Sequence, residues 1–403
     1  MTPRHWLGRP AFLALVIAIQ VGIVVTHLAA APRDRLVGRA VFEPDGYLYG
    51  DSAYYAAAAD SLWRDRDLDL LNQNFPGRAT IAEVLPELEG PLAGEFGLSA
   101  DGRLTLKQSP VLPAAALPFY AVMGLPGLLV FNLVVMTLLL DGVAQLAGGT
   151  LLARLVVLVG FLTTPLHDFV FNFSPDLFLC ALLIGSLVAA RDRRPLLAGT
   201  LAGLAVSSKL YVAVLVLPVP VVVWGAAERA RIAAMVRFAA GGLVGLVPGV
   251  LFNWWLFGAP WVTGYERQLF VVNGQVGLAG HASRFTEPPL QGLLNILFDP
   301  GVGLWPTAPL WFLWPVAAGV LLAPRVVPPG GRSWVVAACL VILLNLALFA
   351  SYDGWYGGSP RGNRYVFPAV VAAVALIGAA VATGARAWCD GRARSPDSAS
   401  RAG

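Results

Sequence analysis

The sequence predicts an all-α polytopic membrane protein of about ten transmembrane helices, with a large extracytoplasmic loop after the first. Three observations predict it. Of 403 residues, 57% are hydrophobic and only 13% are Asp, Glu, Lys or Arg, about half the charge share of a soluble domain. Apolar runs of about twenty residues, long enough to cross a bilayer, recur along the chain. The runs are continuously apolar rather than alternating, which argues against an outer-membrane barrel. A soluble globular protein and a long disordered chain are both excluded.

The first run covers Pro10 to Ala31, behind Arg4 and Arg9. Its end, Leu28-Ala29-Ala30-Ala31-Pro32, looks somewhat like a signal-peptidase site, but the run is longer than a usual signal core. A retained span is the reading taken, making residues 1–31 the N-terminus and first helix. Further spans are expected near 127–147, 150–165, 175–190, 196–207, 210–225, 234–257, 303–322, 334–350 and 367–388. The two near 200 are short, as in a tilted or partly inserted hairpin. Segment 110–124 is apolar but carries Pro110, Pro113 and Pro118, so it reads as a re-entrant or interfacial piece.

Sidedness follows from the basic residues. Arg4/Arg9, Arg154, Arg191/Arg193/Arg194, Arg229/Arg231/Arg237, Arg325/Arg332 and Arg386/Arg392/Arg394/Arg401 fall in alternate connections. Placing all of them in the cytoplasm satisfies the positive-inside rule at every loop at once. The segments left outside are 32–126, 166–174, 207–209, 258–302 and 351–366. The organisation expected is therefore a first helix, an outer loop over 32–126, a bundle over 127–257, a second outer loop over 258–302, and C-terminal helices over 303–390 enclosing the outer loop 351–366. The polar tail 391–403 reads as disordered and cytoplasmic.

Cys180, Cys339 and Cys389 form no disulfide framework or metal spacing, and the four His are scattered. No nucleotide-binding or zinc-protease motif is present. The net charge of +4 is small, and no nucleic-acid partner is expected.

The outer loops carry the polar chemistry. Segment 32–109 holds about half of the chain's 24 acidic residues. Within it, Tyr54/Tyr55, Ala58/Ala59 and Leu62/Trp63 recur at helical spacing, predicting an amphipathic helix at the membrane surface. Asp51 stands at its start, either as a helix cap or as a carboxylate held for proton transfer. Lys107, before Pro110, either snorkels or reaches a phosphate at headgroup depth. Leu166-His167-Asp168-Phe169 and Ser174-Pro175-Asp176 follow. Asp176 reads best as the cap of the next helix, whereas Asp168, flanked by apolar residues, is harder to explain that way. Lys209 must face water, lipid phosphate or a partner, or else snorkel. The last outer loop, Ser351 to Tyr365, offers Trp355, Tyr356, Arg361 and Arg364. Its arginines break the positive-inside trend, and Arg pairs bidentately with phosphate. A turn-rich connector with interfacial aromatics is the alternative.

Gly50-Asp51-Ser52-Ala53-Tyr54-Tyr55, followed by Leu68-Asp69-Leu70, resembles the first outer loop of GT-C superfamily glycosyltransferases, in the broad branch of protein O-mannosyltransferases and lipid A aminoarabinose transferases. Lys107-x-x-Pro110 with Pro113 is similar to the basic, Pro-rich stretch after that loop. Ala198-Gly199…Ala202-Gly203-Leu204-Ala205…Lys209 and Trp355-Tyr356-Gly357-Gly358…Arg361-Gly362-Asn363-Arg364-Tyr365 resemble later segments. The resemblance implies a polyprenyl-phosphate sugar donor and an acceptor on the extracytoplasmic face of a bacterial inner membrane. It matches Asp51 to the first-loop acid, Asp168 to the second-loop acid, and Lys107 to the basic residue near the donor phosphate. The Asp-Glu pair of O-mannosyltransferases is absent, since Ser52 follows Asp51, and no C-terminal soluble domain follows; lipid or polysaccharide acceptors are therefore expected over protein.

On that reading Asp51 takes the acceptor's proton in a single inverting displacement, and Asp168 is the second catalytic acid. Lys107, Arg361, Arg364 and Lys209 meet the donor phosphate. Tyr54, Tyr55, His167, Trp355 and Tyr356 line the substrate. No cofactor is expected, although Asp51 and Asp168 could share a divalent cation, Mg or Mn. The alternative function is a transporter or flippase of a lipid-linked glycan, which would need the intramembrane polar residues Asn132, Asn253, Asn345 and Asp141 for a pathway.

Overall fold

A bilayer offers backbone N–H and C=O groups no partner, so an apolar run that enters it must close its own hydrogen bonds as a helix. The computed structural model follows this rule. It describes residues 4–30, 35–37, 46–48, 51–75, 77–78, 80–84, 96–228, 230–272, 275–279, 284–324, 326, 329–357 and 362–393. The first helix is α1 (Arg4–Ala30). The loop region after it contains α2 (Ser52–Arg64), the short α3 (Leu71–Asn74) and α4 (Ile81–Val84), and α5 (Val111–Met123). The bundle continues with α6 (Leu125–Leu146), α7 (Leu151–Leu162), α8 (Pro175–Arg191) and α9 (Pro195–Ser208). Next come α10 (Val212–Val216), α11 (Val219–Ala226) and α12 (Arg231–Phe257). After the second loop follow α13 (Pro289–Phe298), α14 (Leu304–Thr307), α15 (Trp314–Leu322), α16 (Pro329–Ala350) and α17 (Phe367–Ala393).

Each expected apolar run falls on helix, but not each is a full span. Among the described residues five helices are long and apolar enough to cross a membrane: Gly8–Ala30, Leu125–Leu146, Arg231–Phe257, Gly331–Ala350 and Arg364–Trp388. A sixth results if α7 and the 3-10 turn Pro165–Phe171, bent by 69°, count as one. The remaining runs are shorter; α10 and α11, for example, are broken at Pro218. Helix α5 has 13 residues, with Pro110 at its cap position and Pro118 inside. At about 1.5 Å per residue it falls short of a bilayer's width. The C-terminal helix runs to Ala393, overlapping the start of the expected tail; residues 394–403 lie outside the described part.

Two expectations need correction. The outer loops are not purely helical. Strands β1 (Arg35–Val37) and β2 (Gly46–Leu48) pair in parallel. Strands β3 (Phe96–Leu98), β4 (Leu104–Leu106), β5 (Gln268–Val272) and β6 (Gln275–Ala279) form an antiparallel sheet in the order β4-β3-β5-β6. Runs of three to five residues are too short for alternation to announce a strand. Helix α2, in turn, does not lie on a surface. Ser52 to Ala56, Ala58, Ala59 and Ser61 are buried, and Trp63 in its last turn is exposed. The alanines leave room on every side, so the aromatic and helical neighbours close around the helix.

The sheet joins the two large loops through Gly97 opposite Gln268. Arg267 reinforces the joint, donating to the carbonyls of Leu98 and Ser99 at 3.0 Å each. Phe173 N–H donates to Ser52 Oγ at 2.9 Å, tying the 166–174 segment to α2. The segments assigned by charge to one side thus meet at one end of the bundle. At the other end the arginines gather: Arg9 pairs with Asp141, Arg191 donates to the Gln145 carbonyl at 2.6 Å, and Arg193 pairs with Glu228.

Helices α9 and α12 cross with their backbones nearly in contact. A Cβ on Gly199 would stand 1.9 Å from Phe238 O, one on Gly203 2.2 Å from Gly242 O, and one on Gly241 2.0 Å from Leu196 O. Small residues four apart on both helices let them approach this closely, as membrane helices do where packing alone drives association. This crossing fixes the end of α9, where Lys209 emerges.

The candidate transmembrane polar residues are spent on structure. Asn132 donates to Val170 O at 3.0 Å, Asn345 to Tyr365 O at 3.0 Å, and Asn253 to Pro260 O at 3.3 Å. Asp141 receives Arg9 and Gln145.

Candidate active site

Asp51 occupies the cap position of α2, and its backbone carbonyl accepts from the Tyr54 and Tyr55 N–H groups. Its side chain makes no cap hydrogen bond. The carboxylate instead receives Arg364 Nη1 at 2.8 Å. Arg364 Nε lies 4.0 Å from Asp176 Oδ2. The other oxygen of Asp176 takes Lys209 Nζ at 2.9 Å, and the Tyr211 hydroxyl lies 3.5 Å from that oxygen. Asp51, Arg364, Asp176 and Lys209 thus form a chain of alternating charge drawn from four separate segments.

The turn that presents Arg364 is built for rigidity. Asn363 accepts from Tyr365 N–H through its Oδ1 and donates to Trp355 O through its Nδ2. Asn345 of α16 holds the Tyr365 carbonyl. Gly362 has φ +130°, and a Cβ there would strike Pro165 at 2.7 Å; only glycine fits both demands.

Aromatic rings enclose the charges. Lys209 Nζ lies 5.3 Å from the Tyr211 ring centroid and 5.4 Å from that of Tyr365. The Arg364 guanidinium lies 5.4 Å from the Tyr365 ring. Phe349 stacks on Tyr365 at 4.6 Å, and Tyr352 meets it edge-on at 5.5 Å. Tyr55 and Tyr265 complete the surround, and both lie close enough to feel the charges of Asp51 and Asp176.

Burial alone would push the Asp51 carboxyl up. Arg364, Lys209 and Lys107 together outweigh it and hold the group below the usual carboxylate range. Burial pushes the Tyr55 and Tyr265 phenols far up, so both remain protonated donors. Asp51, Lys107, Asp176 and Lys209 are all buried, Asp176 with 1% exposure. Ion groups taken out of water stabilise a fold poorly, so a concentration of them makes this the candidate site. Three cations face two carboxylates here, an excess that suits an anion.

The structure redistributes the expected site residues. The structure brings Asp51, Lys107, Lys209 and Arg364 together. The acid that joins them is Asp176, not capping the helix but standing at its second position behind Pro175, with Ser174 at the cap. Two charges of opposite sign, each isolated between apolar runs on the same expected side, were the available signal. Asp168 sits in the 3-10 turn Pro165–Phe171, its carboxylate 3.7 Å from His167 Nε2. His167 Nδ1 lies 2.8 Å from Thr164 O. Tyr54 packs edge-on against Phe96 at 5.0 Å. Trp355 and Tyr356 meet edge-on at 6.0 Å, with Tyr356 half exposed. Arg361 lies outside the described residues. The place of Tyr211 and Tyr365 in the aromatic surround was not anticipated.

Among the described residues no three His, Cys, Asp or Glu side chains gather as a metal site. A cation bound at Asp51 would have to compete with the Arg364 guanidinium for its carboxylate.

The apolar helices and the charged cluster at their end define a multi-pass membrane protein. A solved structure that it resembles is that of ArnT from Cupriavidus metallidurans, bound to undecaprenyl phosphate, with a TM-score of 0.53 and 15% sequence identity. The alignment covers 92% of this chain and 60% of that one, so the chain spans about 60% of the length of the protein it resembles. At this identity the likeness establishes the fold. No protein-family model matches the chain, and no curated protein does.

Proposed function

We propose that the chain is an integral membrane glycosyltransferase. It moves a sugar from a polyprenyl-phosphate donor to a lipid or polysaccharide acceptor at the face where Asp51 lies, the extracytoplasmic face of a bacterial inner membrane. The observation that carries this reading is the Asp51–Arg364–Asp176–Lys209 chain of buried charges on a GT-C fold whose solved likeness holds undecaprenyl phosphate.

The leaving group of such a donor is a lipid phosphate, which needs neutralisation more than protonation. Lys209, Lys107 and Arg364 supply the positive charge. Asp51 is the base for the acceptor hydroxyl, in one displacement that inverts the anomeric centre. Paired with Arg364, Asp51 is a poor base. A donor phosphate competes for the guanidinium, and as Arg364 turns to it Asp51 loses its strongest partner and its basicity rises in the enclosed site. Activation of the base is thereby coupled to the presence of donor. Asp176 keeps Lys209 in place and remains a counter-charge when Arg364 moves.

The polar residues that a glycan transporter would need within the membrane are held in structural hydrogen bonds, and nothing specific favours that alternative. The test is transfer in lipid from a panel of radiolabelled polyprenyl-phosphate sugars to a total lipid and glycan extract, with wild type beside Asp51→Asn. Label reaching an acceptor with wild type alone supports the reading. No transfer and no donor binding from any member of the panel overturns it.

A further inference from the structure

At the end of the bundle away from Asp51, three arginines converge on the last two turns of α6. Arg9 forks onto Asp141, with Nε–Oδ1 3.1 Å and Nη2–Oδ2 2.5 Å. Arg191 donates to the Gln145 carbonyl and lies 3.3 Å from Asp192. Each of these two arginines therefore has a carboxylate. Arg154 of α7 has none: among the described residues it makes no hydrogen bond or ion pair. It is only 5% exposed, and its Nε is fully enclosed without a partner. Its guanidinium sits 5.6 Å from the Phe12 ring centroid, and so near α1 that a Cβ on Gly8 would come within 2.9 Å of Nη1.

Arginine does not lose its proton inside a protein, and a buried charge ordinarily has a partner. Arg154 lies one turn into α7, whose first turn is capped by Thr150 accepting from Ala153 N–H. A helical side chain leans back toward the N-terminus, which carries this guanidinium toward the membrane boundary. Leu151, Leu155, Val159 and Leu162 are exposed at helical spacing, an apolar stripe running along α7 from its first residue. A buried cation at the head of an exposed apolar stripe has the profile of a phospholipid. Arg9 already pairs with Asp141, the carboxylate whose charge reaches Arg154 without contact, leaving positive charge in excess. A zwitterionic headgroup would bring its own cation against these arginines, whereas an anionic one would not.

We propose that the junction of α1 and α7 binds an anionic phospholipid through its phosphodiester, with Arg154 as the principal contact, Arg9 beside it, and an acyl chain along the α7 stripe. The site is separate from the Asp51 cluster and does not depend on the function assigned there. Basic recesses between membrane helices take anionic headgroups by this chemistry.

The experiment is native mass spectrometry on the full chain extracted from nanodiscs of phosphatidylcholine containing phosphatidylglycerol, with thermal unfolding read in parallel. Wild type is expected to retain phosphatidylglycerol over phosphatidylcholine by about fivefold or more, the worth of one basic residue at a charged bilayer surface. Arg154→Gln should lose that preference, and Arg154→Lys, which keeps the charge but not the fork, should fall between. Arg231→Gln, at the same end on α12, should leave it unchanged. An undiminished preference in Arg154→Gln overturns the proposal, as does one in Arg154→Lys if the glutamine variant fails to fold. An equal loss in Arg231→Gln also overturns it, by showing a general surface attraction. So does inorganic phosphate that stabilises wild type as much as phosphatidylglycerol does, because the ligand would then be a free anion rather than a lipid.

Discussion

Arg364 donates a 2.8 Å hydrogen bond to Asp51 across 313 positions of sequence. The contact closes the first outer loop against the last, and both partners are nearly buried, with side-chain exposures of 12% and 9%. Such a pair contributes little net stability, because the attraction is offset by the loss of hydration on both ions. Breaking it is another matter, since a lone ion then remains buried. The proposed exchange, in which a donor phosphate takes the place of Asp51 on Arg364, avoids that cost by supplying the guanidinium with another anion.

Asp51→Asn is expected to lower transfer by about a hundredfold or more, the range of a lost general base. Donor affinity should hold or rise, since Arg364 loses a competitor. Steady-state kinetics with a separate donor-binding titration checks both. A parallel fall of kcat and donor affinity would contradict the proposed exchange.

Arg364→Gln should destabilise the protein by about 3–5 kcal/mol, the cost of leaving buried carboxylates uncompensated. Adding Asp51→Asn should recover part of that loss, since the two side chains are in contact. Chemical unfolding of both single variants and the double variant in one detergent measures the coupling.

The Asp51 carboxyl titrates lower in the folded chain than its ordinary value, because Arg364, Lys209 and Lys107 outweigh its burial. Its contribution to stability is thus fully present above about pH 4, the unfolded value, and is lost as pH falls through the lower folded value. Wild type should show this acid limb in its unfolding midpoint, and Asp51→Asn should lack that share of it. Bound donor should move the limb upward by drawing Arg364 away.

Much of this site was legible because charge in a bilayer is expensive. Lys107, Lys209, Arg364 and Asp51 stood out for that reason, and the positive-inside rule placed their segments on one side before any contact was known. Asp176 was hidden by local chemistry, since an acid beside Ser174-Pro175 reads as a helix cap; that Lys209 claims it depends on the packing of α8 against α9. Asp168 looked the stronger acid by the same local logic, yet its position in the 3-10 turn sets it beside His167. The strands were illegible because pairing such as Gly97 with Gln268 joins segments far apart in sequence, and three residues carry no period.

The glycines where α9 crosses α12 lead to a prediction about position rather than chemistry. A Cβ on Gly203 would meet Gly242 O at 2.2 Å, and backbone cannot step aside as a flexible side chain can. Gly203→Val should force the helices apart, lowering the unfolding midpoint by the equivalent of about 1–3 kcal/mol. Because Lys209 follows the end of α9, donor affinity should fall as well, although Gly203 touches none of the charged residues.

The Tyr55 hydroxyl is buried with no hydrogen-bond partner, beside a cluster whose charges raise its cost. Burial keeps it protonated, so it is a donor with nothing to donate to. If the hydroxyl served only packing, Tyr55→Phe would be neutral or stabilising, since it removes an unsatisfied polar group and keeps the ring against Phe173. If the hydroxyl meets the donor, the same variant should be as stable as wild type or more so, yet lose about tenfold to a hundredfold in kcat/KM, the worth of one hydrogen bond to a charged group. Thermal unfolding and kinetics on this one variant separate the two roles, because packing and ligand contact move the two readouts in opposite directions. The second outcome is expected, since Arg364 Nε is likewise buried without a hydrogen-bond partner, and two orphaned donors beside one cluster call for an oxygen-rich ligand that satisfies both.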